Sequence, residues 1–353
     1  MRIEREKLLQ DLESVLPGLS PKEIVEQSSC FIFQDGMVMT FNDEVACRRP
    51  TSLKLEGAVS AAPLVSILQK LSNDEVELEP KESSLLVKAK NKRASIRMEK
   101  EILLPISTVE DPKGWKTLPE DFAEAVDLTQ QCASEDASNF SMCCVHITPE
   151  YLEASDNFQL TRYNVETGVK KNVLVKQVSI KHIVQLGMMQ FCETESWMHF
   201  RNKQTGLVFS CRRYLEEYPD LSEFLDVKGS KLILPKGIGE AVDKAEVFTA
   251  ENTDKNEVKV ELRAGKMRLK GQGPLGWYQE MKSLQYNGKP IEFFIGPKLL
   301  VQITNRTNEC VVSEDRLKID GGKFVYVASL GLPNETEESN GGQSEGSEPD
   351  GDE

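Results

Sequence analysis

A chain of 353 residues, 39% hydrophobic and 28% charged, has ample material for buried cores and is too long for one ordinary domain. Its formal charge of −14 is concentrated at one end, because GLPNETEESNGGQSEGSEPDGDE from Gly331 carries eight acids and no base, and without that segment the chain stands at −6. The tail's Gly, Ser, Pro and Glu content cannot support a packed core, so 331–353 is predicted to be a disordered, solvating acidic tail.

No apolar run approaches the roughly 20 residues a membrane helix needs. The N-terminus, MRIEREKLLQ, is charged from its second residue, so a cytoplasmic protein with no membrane partner is expected. The eight cysteines, at 30, 47, 132, 143, 144, 192, 211 and 310, form no CxxC pair, and most sit in apolar strand-like runs. They read as reduced core residues, with no disulfide and no metal site.

In chain order, a first helix is predicted at EREKLLQDLESVL, where Leu8, Leu9, Leu12, Val15 and Leu16 make one face. A hairpin follows at CFIFQDGMVMTFND, then a helix at VSAAPLVSILQKL, then a pair of strands within VELEPKESSLLVKAKNKRASIRM. After a connection near WKTLP the order returns: helix at PEDFAEAVDLTQQCAS, hairpin at MCCVHITPEYLEASD, helix at QVSIKHIVQLGMM, hairpin at SWMHFRNKQTGLVFSCRRY. Past a second connection near YPDLSEFLDVKG it returns again, with a helix at LPKGIGEAVDKAEVFTAEN and a hairpin at VKVELRAGKMRLKG. A helix within FFIGPKLLVQITNR and a hairpin at ECVVSEDRLKIDGGKFVYVASL complete it. The short stretch KHIVQL at Lys181 recurs as KLLVQI at Lys298, and Val65, Val184 and Val301 fall at equivalent places. The fold class is therefore α+β, with three tandem helix-hairpin-helix-hairpin repeats over 1–112, 113–226 and 227–330.

If each repeat packs two helices on one face of its sheets, a chain contributes six helices. Two chains closed head to tail would then set twelve of them about 10 Å apart around a circumference of about 120 Å, a ring roughly 38 Å across. A DNA duplex fits inside such a ring.

The same residues resemble a known family. EREKLLQDLESVLPGLS followed by IVEQSSCFIFQDGMVMTFNDEVACR, EASDNFQLTRY, SCRRYLEEYPDLSEFL and DKAEVFT are similar, in order and spacing, to the bacterial DNA polymerase III beta subunit, the sliding clamp, over 1–330. The departures from the family pattern suggest a divergent member, phage-encoded or otherwise distant, in bacterial cytoplasm or a phage-infected cell. The resemblance implies the DNA-clamp fold as a head-to-tail dimer and a non-catalytic processivity factor without cofactors. Such a protein encircles double-stranded DNA without reading sequence, is placed there by a clamp-loader ATPase and tethers the replicative DNA polymerase. No GxxxxGK[ST] or HExxH is present, and His146, His182 and His199 lie outside metal-ligand spacing of one another. An enzyme or structural assembly protein built on clamp-like repeats is the alternative, and ATP or DNA hydrolysis by the chain alone would identify it.

Under this reading DNA phosphates are met by Lys22, Lys70, Lys181, Lys236, Lys244, Lys298 and Arg306, on or beside the helices. A solvated lysine on an amphipathic helix is the competing reading for each. Glu120, Asp121, Glu124 and Asp127 on the second repeat's first helix cannot attract phosphate. The resemblance also implies a hydrophobic cleft between the second and third domains that takes a partner's linear motif. Phe140, Ser155, Asn157, Phe158, Gln159 and Leu160 would form one wall, with Val325 and Val327 opposite. Asn157, Phe158 and Gln159 replace the family's Gly-His-Arg, and Val327, Ala328 and Ser329 replace its Met-Pro-Met. Core packing is the competing reading for Leu160 and Val325. The dimer contact implied by the family joins Val247 and Phe248 to an edge near Ile96 and Met98.

Overall fold

Every predicted helix is preceded by a short strand and followed by three more strands, where the sequence pattern suggested two. The computed structural model describes residues 1–249 and 256–331, so residues 250–252 of the predicted third-repeat helix and the tail from 332 lie outside the described residues. The chain divides into two units, Met1–Leu221 and the part from Ser222 onward.

In the first unit, β1 (Arg2–Glu4), α1 (Arg5–Glu13), β2 (Cys30–Gln34), β3 (Met37–Phe41) and β4 (Val45–Pro50) form one βαβββ motif. A second follows: β5 (Gly57–Ser60), α2 (Ala61–Lys70), β6 (Glu75–Pro80), β7 (Ser84–Ala89) and β8 (Lys92–Glu99). The order returns in β9 (Lys116–Thr117), α3 (Phe122–Thr129), β10 (Cys144–Ile147), β11 (Tyr151–Ser155) and β12 (Gln159–Asn164). It returns again in β13 (Val173–Lys176), α4 (Gln177–Ile180), α5 (Ile183–Leu186), β14 (Gln190–Glu193), β15 (Trp197–Arg201) and β16 (Val208–Arg212). The second unit opens on α6 (Ser222–Leu225) and holds two more motifs. One is β17 (Ser230–Ile233), α7 (Ile238–Glu246), β18 (Val258–Arg263), β19 (Lys266–Gly273) and β20 (Gly276–Ser283). The other is β21 (Ile291–Ile295), α8 (Pro297–Thr304), β22 (Glu309–Val312), β23 (Arg316–Asp320) and β24 (Phe324–Ser329).

All pairing is antiparallel. One sheet of the first unit runs β1-β6-β7-β8-β5-β2-β3-β4-β16-β15-β14-β9, and a second holds β13-β10-β11-β12. In the second unit β24-β23-β22-β17 form one run and β20-β19-β18-β21 another. Each sheet buries one face under helices, which explains the strict alternation of β7, where Leu85, Val87 and Ala89 point inward and their neighbours are half-exposed. The helices pack in pairs, α1 on α2, α3 on α5, and α7 on α8. Tight turns set the registers. Asp35 and Gly36 both take positive φ, 52° and 69°, between Gln34 and Met37, the backbone of a two-residue type I′ hairpin.

Two halves of the first unit are joined edge to edge by β4 and β16, with Val45 opposite Cys211 and Arg48 opposite Val208. Beneath that seam Phe41 packs against Trp197 at 6.1 Å between ring centres, alongside Ile32, Ala46, Ala58 and Leu104. Both joined strands are the last of their motifs, so the seam joins last strand to last strand.

The repeated hexapeptide differs in form between its two copies. KLLVQI lies in the unbroken α8, whereas KHIVQL is divided at Lys181 and His182, where Val184 and Gln185 bond three residues back instead of four. Gly187, at φ 59°, then ends α5 in the left-handed region, while α8 continues to Thr304.

Candidate functional site

The hairpin tip Asp156–Gln159 is held by its own short polar side chains. The Asp156 N–H donates to Gln159 O, and Asp156 Oδ1 accepts from the N–H groups of Phe158 and Gln159, both at 2.9 Å. Ser155 Oγ donates to Gln159 O at 2.8 Å. Asn157 takes φ 76°, the first central position of a hairpin turn, for which Asn is among the best non-glycine residues. Phe158 follows at the tip, 66% exposed. An aromatic ring is thus presented to solvent on a backbone fixed in advance.

The strands beneath the tip rest on a buried charged cluster. Glu153 receives Arg162 through Nε at 2.8 Å and Nη2 at 2.6 Å, and lies 2.9 Å from His146 Nδ1. Tyr218 stacks on His146 with ring centres 4.6 Å apart, and Arg162 lies over Tyr151 at 4.2 Å. With both partners in place, the carboxylate is satisfied although only 1% of Glu153 is exposed.

Of the other expected cleft residues, Asn157 and Gln159 belong to this turn and Ser155 and Leu160 flank it as a pair. Leu160 is fully buried and Ser155 and Gln159 nearly so; in the second unit Val327 is fully buried and Val325 half-buried on β24. Leu160 and Val327 are therefore core side chains with no surface to offer a ligand in this conformation. Phe140 belongs to another cluster, edge-on to Tyr214 at 4.7 Å with Lys176 over both rings. Glu44 accepts from Tyr214 Oη at 2.8 Å and pairs with Lys176 at 2.6 Å. Burial, the adjacent carboxylate and its hydrogen bond push the Tyr214 hydroxyl well above its ordinary value.

All seven candidate phosphate contacts are exposed. Lys70 ends α2, Lys244 and Lys298 lie on α7 and α8, and Lys22 is in the loop after α1. Three are displaced from the helices expected of them: Lys181 sits in the break between α4 and α5, Lys236 precedes α7, and Arg306 follows α8. Lys244 is drawn to Glu280 at 3.3 Å. The Tyr278 hydroxyl, Lys282 and Lys244 hold that carboxyl down to about 2. On α3, Asp121 and Glu124 occupy the N-terminal turn, where the helix dipole favours acids, and Asp121, Glu124 and Asp127 are all half-buried.

Of the four residues expected at the dimer contact, Ile96 and Met98 have buried side chains. Ile96 and Met98 alternate on β8 with exposed Ser95 and Arg97 and point inward, each only 4% exposed. Their side chains face the core, so this edge can meet a partner only through its backbone and its outward side chains. Val247 is 71% exposed at the end of α7, and Phe248 lies against the β19–β20 turn, its ring 3.3 Å from where a Gly276 Cβ would stand. That turn leads into β20, which ends its sheet and pairs only with β19 among the described residues. The face of β20 turned from α7 carries Trp277 and Met281, 62% and 55% exposed, with Leu275 at the turn 78% exposed. These three residues were not singled out in the sequence, although the alternation in GWYQEMKS contains Trp277 and Met281. In the first unit β8 is the other last strand with an open edge, since β5 takes only Met98 and Glu99. Among the described residues no three His, Cys, Asp or Glu side chains are grouped to hold a metal, and no helix is long and apolar enough to cross a membrane.

No protein-family model and no curated protein matches the sequence. Solved structures do match. A DNA polymerase III subunit beta sliding clamp from Pseudomonas aeruginosa, bound to griselimycin, superposes with a TM-score of 0.71 at 16% identity, covering 94% of this chain and 99% of its own. The beta subunit of Thermotoga maritima gives 0.69 at 16% identity, and that of Streptococcus pneumoniae 0.69 at 14%, with the same coverage. At that identity the likeness is one of architecture, and it extends over nearly the whole of each chain: the protein has the fold of the bacterial DNA polymerase III beta sliding clamps.

Proposed function

We propose that the protein is a DNA sliding clamp, a non-catalytic processivity factor that encircles duplex DNA and tethers a replicative polymerase. The observation that carries this reading is the likeness to clamps over 94% of the chain. Exposed lysines on and beside paired helices suit contact with phosphates, which needs charge and no base readout. The modest number of such cations suits a ring that must slide.

Closure into a ring takes a second copy. The β4–β16 seam joins last strand to last strand, and β8 and β20 are last strands with open edges, one in each unit. Head-to-tail pairing of β20 with β8 of another copy repeats that seam and covers Trp277 and Met281. Such a heterologous contact closes when the rotation permits. Partner proteins, the polymerase and a clamp-loader ATPase among them, dock through a short motif on the surface that presents Phe158.

The test is topological. Loaded on nicked circular DNA, the protein stays bound, and cutting the circle releases it, because encirclement holds it and affinity does not. Equal lifetimes on circular and linear DNA would refute encirclement. ATP or DNA hydrolysis by the purified chain would favour the enzyme alternative instead.

A further inference from the structure

A groove of about 850 Å³ in the second unit is lined on one side by β17 and its approach, Lys228 to Leu232, and on the other by Gln285 to Lys289 and Ile291. Val312, Ser313 and Glu314 complete it. β17 pairs with β22 along one edge and leaves the other open, since it ends its sheet. The far wall is firmly built: Gly265 N–H donates to Tyr286 O, Leu284 N–H to Gly265 O, and Tyr286 Oη to Lys289 O at 2.6 Å. Its charged residues are three lysines and one acid. Lys228 is paired with Asp226, but Lys231 and Lys289 make no ion pair among the described residues.

The described chain ends beside this groove. Gly331 and Glu292 exchange both backbone hydrogen bonds, at 2.8 and 3.0 Å, in an antiparallel bridge. Antiparallel register would set residue 332 opposite Ile291 and residue 333 opposite residue 290. The next hydrogen-bonded position therefore brings together Pro333 and Pro290, neither of which has an N–H to donate. A ladder continued in that register would find no N–H to donate at this position, which lies next to Lys289 in sequence. Glu335, Glu337 and Glu338 come four to seven residues past Gly331, about 13 to 23 Å of extended chain, enough to run the groove.

We propose that the acidic segment around Glu335–Glu338 docks in cis in this groove, its carboxylates against Lys228, Lys231 and Lys289. The tail carries eight acids and no base, so it complements a groove with an excess of lysines, and its tether supplies a high local concentration. The contact is electrostatic and exposed, so salt weakens it: the screening length falls from about 30 Å at 0.01 M to about 8 Å at 0.15 M.

The test uses the full chain with Thr336→p-benzoylphenylalanine, irradiated at low ionic strength and mapped by mass spectrometry. Adducts are expected on 228–232 and 285–291 of the same molecule, identified by mixing isotopically light and heavy protein. Their yield should fall at least threefold with Lys231→Glu plus Lys289→Glu, and equally with Glu335→Gln, Glu337→Gln and Glu338→Gln. Combining the reversed groove with Glu335→Lys, Glu337→Lys and Glu338→Lys should restore it, a rescue that a misfolded groove could not show. Adducts confined to other surfaces or between two copies, or groove adducts indifferent to these charges, would overturn the proposal.

Discussion

Replacing Trp277 with Ala is expected to convert a dimer into monomers. The side chain is 62% exposed on the edge strand β20. For an aromatic that can bury up to about 250 Å², this leaves roughly 150 Å² for a partner to cover. At about 25 cal/mol per Å², covering it contributes about 3 to 4 kcal/mol, most of which an alanine forfeits. A head-to-tail ring of two chains makes the contact twice. The dimer therefore loses about 6 kcal/mol, or about four powers of ten in Kd. Sedimentation velocity from micromolar to nanomolar protein reads the change, with circular dichroism confirming that the variant is folded. Val178→Ala is the control, because Val178 is 58% exposed but lies on the short helix α4 and not on β8 or β20. A folded Trp277→Ala protein that dimerises as tightly as the parent would refute the assignment of β20 to the ring contact, and so would an equal loss in the control.

Phe158→Asp is expected to weaken a polymerase-derived peptide by about 2 kcal/mol or more, some 30-fold, as removal of an anchoring ring does. Because Phe158 is mainly exposed and its turn is held by Asp156 and Ser155, the urea midpoint should stay within about 0.5 kcal/mol of the parent's, and unchanged peptide affinity would place the docking surface elsewhere. Stability should also fall in mild acid. Burial, then the nearby Arg48, lowers His199 from 6.5 to about 4, while its ring nitrogens lie 2.8 Å from Ser210 Oγ and 3.0 Å from Thr194 Oγ1. The folded state thus resists a proton that the unfolded chain accepts below about 6.5. Stability is complete above that pH and declines as pH falls toward 4, by up to about 3 kcal/mol from this residue. Burial moves His182 in the same direction. Urea midpoints at pH 7.5 and 5 for the parent and His199→Gln measure it, and an identical pH slope in both would rule His199 out.

Helices and hairpin turns were legible because each leaves a local mark: the apolar stripe of α1, the Asp35–Gly36 turn, the repeated hexapeptide. What escaped has physical causes. In VELEPKESSLLVKAKNKRASIRM two turns separate three strands, and the second passes through Lys90, a residue at φ 46° with no glycine to announce it. The strand before each helix is about four residues long and merges with the helix's own apolar run, as GAVS does with AAPLV. Neither period can be recognised over so few positions.

The interface was harder for a different reason. The family resemblance pointed to an edge near Ile96 and Met98, but on a strand covered from one side apolar residues mark the face already used. Ser95 and Arg97 alternate with them and face out. What β8 offers a partner is mainly its unpaired backbone, which no side-chain pattern reports. β20 is the informative case. Its inward positions Tyr278 and Glu280 are polar and engaged with Lys244 from α7, whereas Trp277 and Met281 occupy the outward positions. A strand that turns its polar residues toward its own helix and its apolar ones toward solvent has its pattern reversed. Such a reversal is stable only where something else covers the outer face. What marks β20 for the proposed ring contact is therefore the phase of its apolar residues relative to the helix layer, which is opposite to that of β7 and β8.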